Sequence, residues 1–221
     1  MIFLSYILDS NTPSYGNRDK FIISKNSEIV NGIGANTSKW EFTNNHIGTH
    51  IDTPYHFYIK GKQLKDYRAS DFIFWKIGIL EVPRKDGSLI SIVDLQLDNL
   101  DPEIELLIIK TGYGSYRNSN KYFQDNPGLS AELAQKLKKS FPKLRAVGFD
   151  FISLTSWNNR EEGKKSHLSF LNPEIDIIII EDMKLDEICS QSILKWIIVS
   201  PLRTEEGNGS PVTIIANLDE K

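Results

Sequence analysis

The 221-residue sequence predicts a single α/β domain built on a mixed sheet, on three observations. Short apolar segments rich in β-branched residues recur along its whole length, the pattern of buried strands. An amphipathic helix runs directly into one of these segments, as in an α/β connection. No internal repeat, low-complexity tract or Pro/Gly/Ser-rich linker divides residues 1–221, and this length fits one domain.

Taken in order, strands are predicted over 2–8, 21–24, 40–43, 46–52, 75–82, 106–111, 146–149, 175–180, 196–200 and 212–216, each of strand length and β-forming content. The clearest helix covers 131–141. Ser130 offers an N-cap, Glu132 suits the positive end of the helix dipole, and Leu133, Ala134, Leu137 and Phe141 form the apolar stripe before Pro142. Ile92, Leu95 and Leu97 predict a second short helix within 89–100. The stretch 158–169 is largely polar and reads as a surface loop carrying a solvated His167. Glu181 and Asp182 follow the run 175–180 as strand-end acids, at the kind of position where α/β proteins place ligand-binding groups.

Three of the four histidines fall in one segment, His46-Ile47-Gly48-Thr49-His50-Ile51-Asp52-Thr53-Pro54-Tyr55-His56. Successive strand side chains alternate, so His46, His50, Asp52 and His56 share a face wherever the chain is extended. Imidazole and carboxylate together make a ligand set for a divalent metal, with zinc or manganese the natural occupant. His50 and Asp52 are about 6.6 Å apart along a strand and can reach one ion. His46 and His50 would be about 13 Å apart in a straight strand, too far for metal–nitrogen bonds of about 2.1 Å. The chain must therefore bend between them, and Gly48 is the residue that allows it. A helix would turn Asp52 away from His50, and Gly48, Thr49, Ile51 and Pro54 all oppose helix.

Composition excludes other classes. With 40% hydrophobic and 25% charged residues and a net charge of −3, the chain has no basic footprint for nucleic acid. Lys136, Lys138, Lys139 and Lys143 read as the solvated face of a helix. Cys189 is the single cysteine. An intrachain disulfide is excluded, in keeping with a reducing, cytoplasmic location, and a buried thiol is expected. Met1 to Leu8 lacks a basic start and a cleavage site, so no signal peptide is read there. The longest apolar runs are far shorter than the roughly 20 residues of a membrane helix, and a soluble protein without a membrane partner is expected.

The segment 46–56 resembles the signature of the metal-dependent cyclase family, whose members include bacterial kynurenine formamidases and isatin hydrolases. The pattern His-x-Gly-Thr-His-x-Asp-x-Pro-x-His is matched at every specified position. The resemblance extends through Leu4-Ser5, Thr12-Pro13, Phe57, Gly61, the stretch 79–83, Thr111-Gly112-Tyr113, Pro127-Gly128-Leu129-Ser130, Gly148-Phe149-Asp150, His167, Glu181 and Pro201-Leu202. Phe151, Ile152, Ser153, Leu154 and Thr155 after Asp150, and the polar stretch 158–165, depart from it.

The resemblance implies a swivelling β/β/α-type single domain, a homodimer or homotetramer, and one or two divalent ions, zinc or manganese. Carried onto this chain, it assigns His46, His50 and Asp52 to a first ion. His167 goes to a second, with Asp52 and Glu181 shared, and His56 is the acid/base. The implied reaction is attack of an activated water on an amide or formamide carbonyl, with N-formylkynurenine the leading substrate. Other cyclic amides or lactones, and a non-catalytic binding protein that kept the fold, are the alternatives. His56 argues against the last, since a relic has no need of an acid/base beside intact ligands. Trp40, Tyr55, Phe57, Tyr58 and Tyr113 are candidates to stack on a flat substrate, with core packing expected for at least half of them.

Overall fold

The computed structural model describes residues 1–219. Its strands are β1 (Ile2–Phe3), β2 (Phe21–Ser27), β3 (Thr37–Phe42), β4 (His50–Asp52), β5 (Ile73–Phe74), β6 (Ile77–Glu81), β7 (Leu89–Ile90), β8 (Leu106–Lys110), β9 (Gly128–Leu129), β10 (Ala146–Phe149), β11 (Ile178–Glu181), β12 (Leu194–Pro201) and β13 (Gly209–Leu218). The helices are α1 (Asn120–Gln124), α2 (Glu132–Ser140) and α3 (Arg160–Phe170).

Nine strands form one mixed sheet in the order β5-β12-β13-β4-β11-β10-β8-β6, with β1 added beside β13. Strands β6, β8, β10 and β11 run parallel, while β4 is antiparallel to both β11 and β13. The two ends of this order, β5 and β6, are separated in sequence only by Trp75 and Lys76, so the sheet nearly closes on itself.

The parallel strands explain their unbroken apolar sequences: both faces are buried. Leu107, Ile109, Val147, Phe149 and Ile179 pack outward under Leu133, Ala134 and Leu137 of α2 and Phe170 of α3. Leu106, Ile108, Ala146, Ile178 and Ile180 face a second core with Ile51, Phe74, Ile197, Val199 and Ile214. Hydrogen bonding joins the C-terminal ends of β8 and β10, where the Asp150 carboxylate accepts the amides of Thr111 and Gly112, both at 2.8 Å.

Several elements differ from the sequence reading. The 158–169 stretch is the helix α3 rather than a loop. Its buried positions are Gly163, Ser166, His167 and Phe170, a helical stripe made of small and polar residues that a hydrophobic periodicity does not register. The 89–100 segment is not an α-helix. It holds β7 and two short 3₁₀ turns, Ile92–Asp94 and Leu97–Asn99, because Ser91 and Asp94 close a local hydrogen-bonded turn. Ser130 does not cap α2 through its side chain; Ala131 occupies the N-cap position. The predicted strands 2–8 and 75–82 are both shorter, Ile2–Phe3 and Ile77–Glu81. Cys189 is half-buried rather than buried, near the surface turn it shares with Ser192. Among the described residues, no helix is long and apolar enough to cross a membrane.

The bend expected at Gly48 is present. Gly48 has φ of +63°, and only from Thr49 onward does the chain lead into β4, with His50 and Asp52 on it. A Cβ at this position would stand 3.0 Å from Leu8 Cδ1 and 3.2 Å from Thr12 Cγ2. Gly48→Ala is therefore expected to cost about 1–2 kcal/mol, the penalty of a left-handed conformation for a residue with a Cβ, and to weaken metal binding through displacement of His50. Chemical denaturation and metal titration of the variant check this; a variant with wild-type values in both would contradict it.

Candidate metal centre

β4 lies between β11 and β13 in the sheet and pairs Glu181 of β11 with His50 and Gly209 of β13 with Asp52. This register brings Glu181, more than a hundred positions away in sequence, opposite His50. α3 delivers His167 from the other side. Its Nε2 is 3.5 Å from Asp52 Oδ2 and 3.7 Å from Glu181 Oε1. His50 Nε2 is 3.6 Å from Asp52 Oδ1 and 3.3 Å from Glu181 Oε2. All four side chains are buried.

These separations are informative. Direct charge-assisted hydrogen bonds close to about 2.7–2.9 Å. Four donors each about 2.1 Å from a common tetrahedral centre lie about 3.4 Å from one another. His50 faces Asp52 Oδ1 and Glu181 Oε2, whereas His167 faces the opposite oxygens, Oδ2 and Oε1, so the two carboxylates lie between the two imidazoles. His50, Asp52 and Glu181 bring one ligand atom each within 4.8 Å of one another, a set that fits a divalent ion. A second group, His46, Asp52 and His56, also brings its ligand atoms within 4.8 Å of one another.

The rest of the chain aims these donors. His50 Nδ1 donates to the Gly48 carbonyl at 2.8 Å, and His167 Nδ1 donates to the Gly163 carbonyl at 2.9 Å. Because a carbonyl can only accept, both rings present Nε2 to the carboxylates, the arrangement by which outer partners orient metal-binding histidines. Gly163 also lets α3 lie against Thr155, whose side chain would collide with a Cβ there. Glu181 Oε1 accepts the Leu154 amide at 2.6 Å, which holds its other oxygen toward His50. Behind the site, the Asp182 carboxylate receives Arg117, and its carbonyl accepts the Thr49 hydroxyl at 2.6 Å, tying the residue after Glu181 to the residue before His50.

His46 differs from the other two. Its Nδ1 is 2.7 Å from Asp52 Oδ1, a hydrogen-bond distance, and its Nε2 is 3.0 Å from Asn208 Oδ1. Its ring stacks on His56 at 4.1 Å between centroids. His46 thus stands beside the cluster of four rather than at its spacing, whereas the resemblance groups it with His50 and Asp52. Phe57 stacks on His167 at 4.9 Å and walls the cleft, about 240 Å³ in volume, into which His46, His50, Asp52, His56, His167 and Glu181 all open.

Of the other aromatic candidates, Tyr113 is fully buried in the outer core and Trp40 is 62% exposed on the β2–β3 hairpin; neither lines this cleft. Tyr58 donates its hydroxyl to the Leu168 carbonyl. Sequence reasoning gave no site role to Ser153, Leu154, Thr155 or Asn208, which reach the site residues from loops. Their polar atoms or backbone groups carry no motif.

Electrostatics follow from burial and pairing. Burial works to lower the His50 imidazole, but hydrogen bonding and attraction to Glu181, with Asp52, outweigh it and raise it to about 9. His167 is opposed by burial in the same way and raised by Asp52 and Glu181 to about 10. Burial would raise Asp52 and Glu181, yet the surrounding imidazoles hold both below the usual carboxylate range. His56 goes the other way: burial pushes it down to about 4, against the opposing pull of Asp52.

The signs set the pH behaviour. In the metal-free protein, the stabilisation from charged His50 and His167 is full below about pH 6.5. It is lost as pH rises through about 9 and 10. The contribution of ionised Asp52 and Glu181 is present above about pH 4 and lost as pH falls. A metal needs both imidazoles unprotonated, so near neutral pH its binding must displace protons from His50 and His167. Calorimetric titration of metal into chelator-treated protein should give heats that change with the ionisation heat of the buffer, and affinity should fall on acidification. A binding heat independent of buffer would contradict this.

Known proteins give the arrangement a context. The Cyclase family model, described as "Putative cyclase", matches residues 2–156. A kynurenine formamidase of Bacillus cytotoxicus is 32% identical over 170 residues, 77% of this chain and 75% of that protein. A kynurenine formamidase of Bacillus cereus is 29% identical over 171 residues, with the same coverage of 77% and 75%. In three dimensions, isatin hydrolase A from Labrenzia aggregata superposes with a TM-score of 0.82 at 17% identity, over 97% of this chain and 92% of that one. A structure described as a potential metal-dependent hydrolase with cyclase activity gives 0.73 at 16% identity, over 100% and 98%. The solved structures share the α/β fold with its large, nearly closed mixed sheet. With the family model matching residues 2–156 and a relative 32% identical over most of both chains, the chain belongs to the Cyclase family and is an enzyme.

Proposed function

We propose that the protein is a metal-dependent hydrolase of amide or formamide C–N bonds, with an aryl formamide, N-formylkynurenine first, as substrate. The observation that supports it most is the spacing of 3.3–3.7 Å among His50, Asp52, Glu181 and His167 beside an uncharged His56 in the same cleft. The likeness to kynurenine formamidases over 77% of the chain supports the substrate class.

His50, Asp52 and Glu181 would hold one divalent ion, zinc or manganese, and His167, on the opposite oxygens of Asp52 and Glu181, would share those carboxylates to hold a second. Such an ion polarises a carbonyl oxygen and lowers the pKa of water from 15.7 to about 7. His56, neutral at working pH, takes the proton of the attacking water. As the tetrahedral intermediate collapses, the same ring returns that proton to the departing nitrogen, so one imidazole serves as base and then acid. His46, stacked on His56 at 4.1 Å, holds that ring in place. Phe57, stacked on His167, keeps an apolar wall on the cleft.

Metal analysis coupled to a substrate screen tests this reading. Protein prepared without chelators should carry zinc or manganese, one to two ions per chain. It should convert N-formylkynurenine to kynurenine and formate, with formanilide and isatin as comparison substrates. Absence of bound metal, or no hydrolysis of any C–N substrate by the metal-loaded protein, would sink the proposal.

A further inference from the structure

Directly behind the metal centre lies a buried acid that metal binding and proton transfer do not use. Asp182 follows Glu181 at the end of β11, is fully buried and has φ of +52°. Aspartate tolerates this left-handed region better than most residues, but it still strains a backbone that carries a Cβ. Glycine would fill the position without strain, and without placing a carboxyl group in the core. The side chain of Asp182 is therefore the feature to be explained.

That side chain is gripped by a fork. Arg117 Nε donates to Asp182 Oδ1 at 3.0 Å and Nη2 donates to Oδ2 at 2.8 Å, while the Tyr122 hydroxyl also donates to Oδ1. The Arg117 guanidinium lies 3.9 Å over the Tyr6 ring. Burial, and then the charge of Asp182, raise the Tyr122 phenol well above its ordinary value, so it remains a donor. The main chain of Asp182 is fixed too. Its amide donates to the Phe151 carbonyl at 3.0 Å, and its carbonyl accepts the Thr49 hydroxyl at 2.6 Å. Asp182 is thus joined on one side to the segment 151–154, whose Leu154 amide donates to Glu181, and on the other to the residue before His50. Stability does not account for the pair, because the desolvation of a buried ion pair offsets most of its attraction. Placement does. Glu181 opens into the cleft with the Asp182 carboxylate held behind it, so the fork fixes the peptide between them and the direction in which Glu181 leaves the strand.

We infer that Arg117 and Asp182 are positioning residues of the metal centre: their buried fork holds residue 182 in its left-handed turn and so sets the Glu181 carboxylate where an ion requires it. The inference rests on the reading of Glu181 as a metal ligand. Neither residue touches the ion; they act through the backbone of Glu181 and, by way of Thr49, of His50. Groups that orient metal ligands in this way typically contribute 10- to 100-fold to metal affinity.

The test measures metal affinity and stability separately. Chelator-treated wild type, Arg117→Gln, Arg117→Lys, Asp182→Asn and the double variant Arg117→Gln/Asp182→Asn are titrated with zinc and with manganese against a chromophoric chelator. Each is also unfolded in urea without metal. Arg145→Gln is the comparison, since Arg145 faces Glu105 and the carbonyls of Asp71 and Ile73 ahead of β10 and β8, at the end of the sheet away from the site. Arg117→Gln and Asp182→Asn should each weaken metal binding by about 10-fold, the lower end of the range for groups that orient ligands. Arg117→Lys keeps the charge without the fork and should recover part of that loss. The double variant should bind no more weakly than either single one, because the two residues act as a unit. Arg145→Gln should unfold at lower urea with wild-type metal affinity. If a single variant does not fold because it strands one buried charge, the double variant, which strands none, decides by the same 10-fold criterion. Wild-type affinity in folded Arg117 and Asp182 variants overturns the inference, whatever their stability. So does an equal loss in Arg145→Gln, since affinity would then merely follow stability. Glu181→Ala reports separately on the ligand reading: wild-type affinity in that variant overturns Glu181 as a ligand and the inference with it.

Discussion

His50→Ala should empty the metal centre and abolish turnover together. His50 contributes the Nε2 that faces both Asp52 and Glu181, and alanine leaves two buried carboxylates confronting each other with one positive partner fewer. Loss of even an outer hydrogen-bond partner of a ligand typically costs 10- to 100-fold in metal affinity, so loss of a ligand itself should exceed about 100-fold. Asp52→Asn should do the same, because Asp52 accepts from His46 and faces His50 and His167. Metal content after gel filtration and turnover of an aryl formamide are the readouts, with circular dichroism to establish that each variant is folded. A folded His50→Ala protein that keeps a full complement of tightly held metal would remove His50 from the ligand set.

His56→Gln should separate chemistry from metal binding. The His56 ring is stacked on His46 and lies 6.0 Å from that of His167, close enough to exchange a proton with a water at the cluster while standing outside the group of four. Burial keeps it uncharged near neutrality, as a base requires. Metal content should stay near wild type while turnover falls by about 10²–10⁴-fold, the usual contribution of a positioned acid/base. If His56→Gln instead releases an ion, the group His46, Asp52 and His56 holds one and His56 is a ligand. If turnover on a good formamide is unchanged, proton transfer belongs to another group, with Glu181 the next candidate.

Much of the site was legible because its first half is local. The parity of His46, His50 and Asp52, the need for a bend, and Gly48 as its location all follow from strand geometry within a few residues. The structure has that bend, with φ of +63° at Gly48. The central strands were legible for a related reason: burial on both faces demands unbroken apolar sequence, as in Leu106 to Ile109 and Ile177 to Ile180. The helix α3 was not legible, since its inward stripe of Gly163, Ser166 and His167 serves close approach and the placing of a polar ring beside Asp52, and hydrophobic periodicity is blind to both.

By itself, then, the sequence determined the motif, the mixed α/β sheet and the kinked entry to β4, because alternation and backbone sterics act between neighbours. Only the tertiary structure decided which polar side chains come together. The antiparallel pairing of β4 with β11 sets Glu181 opposite His50, and α3 brings His167 to Asp52. The same packing put His46 at 2.7 Å from Asp52. Contacts between residues so distant along the chain are set by sheet register and helix docking, which depend on how the whole core closes.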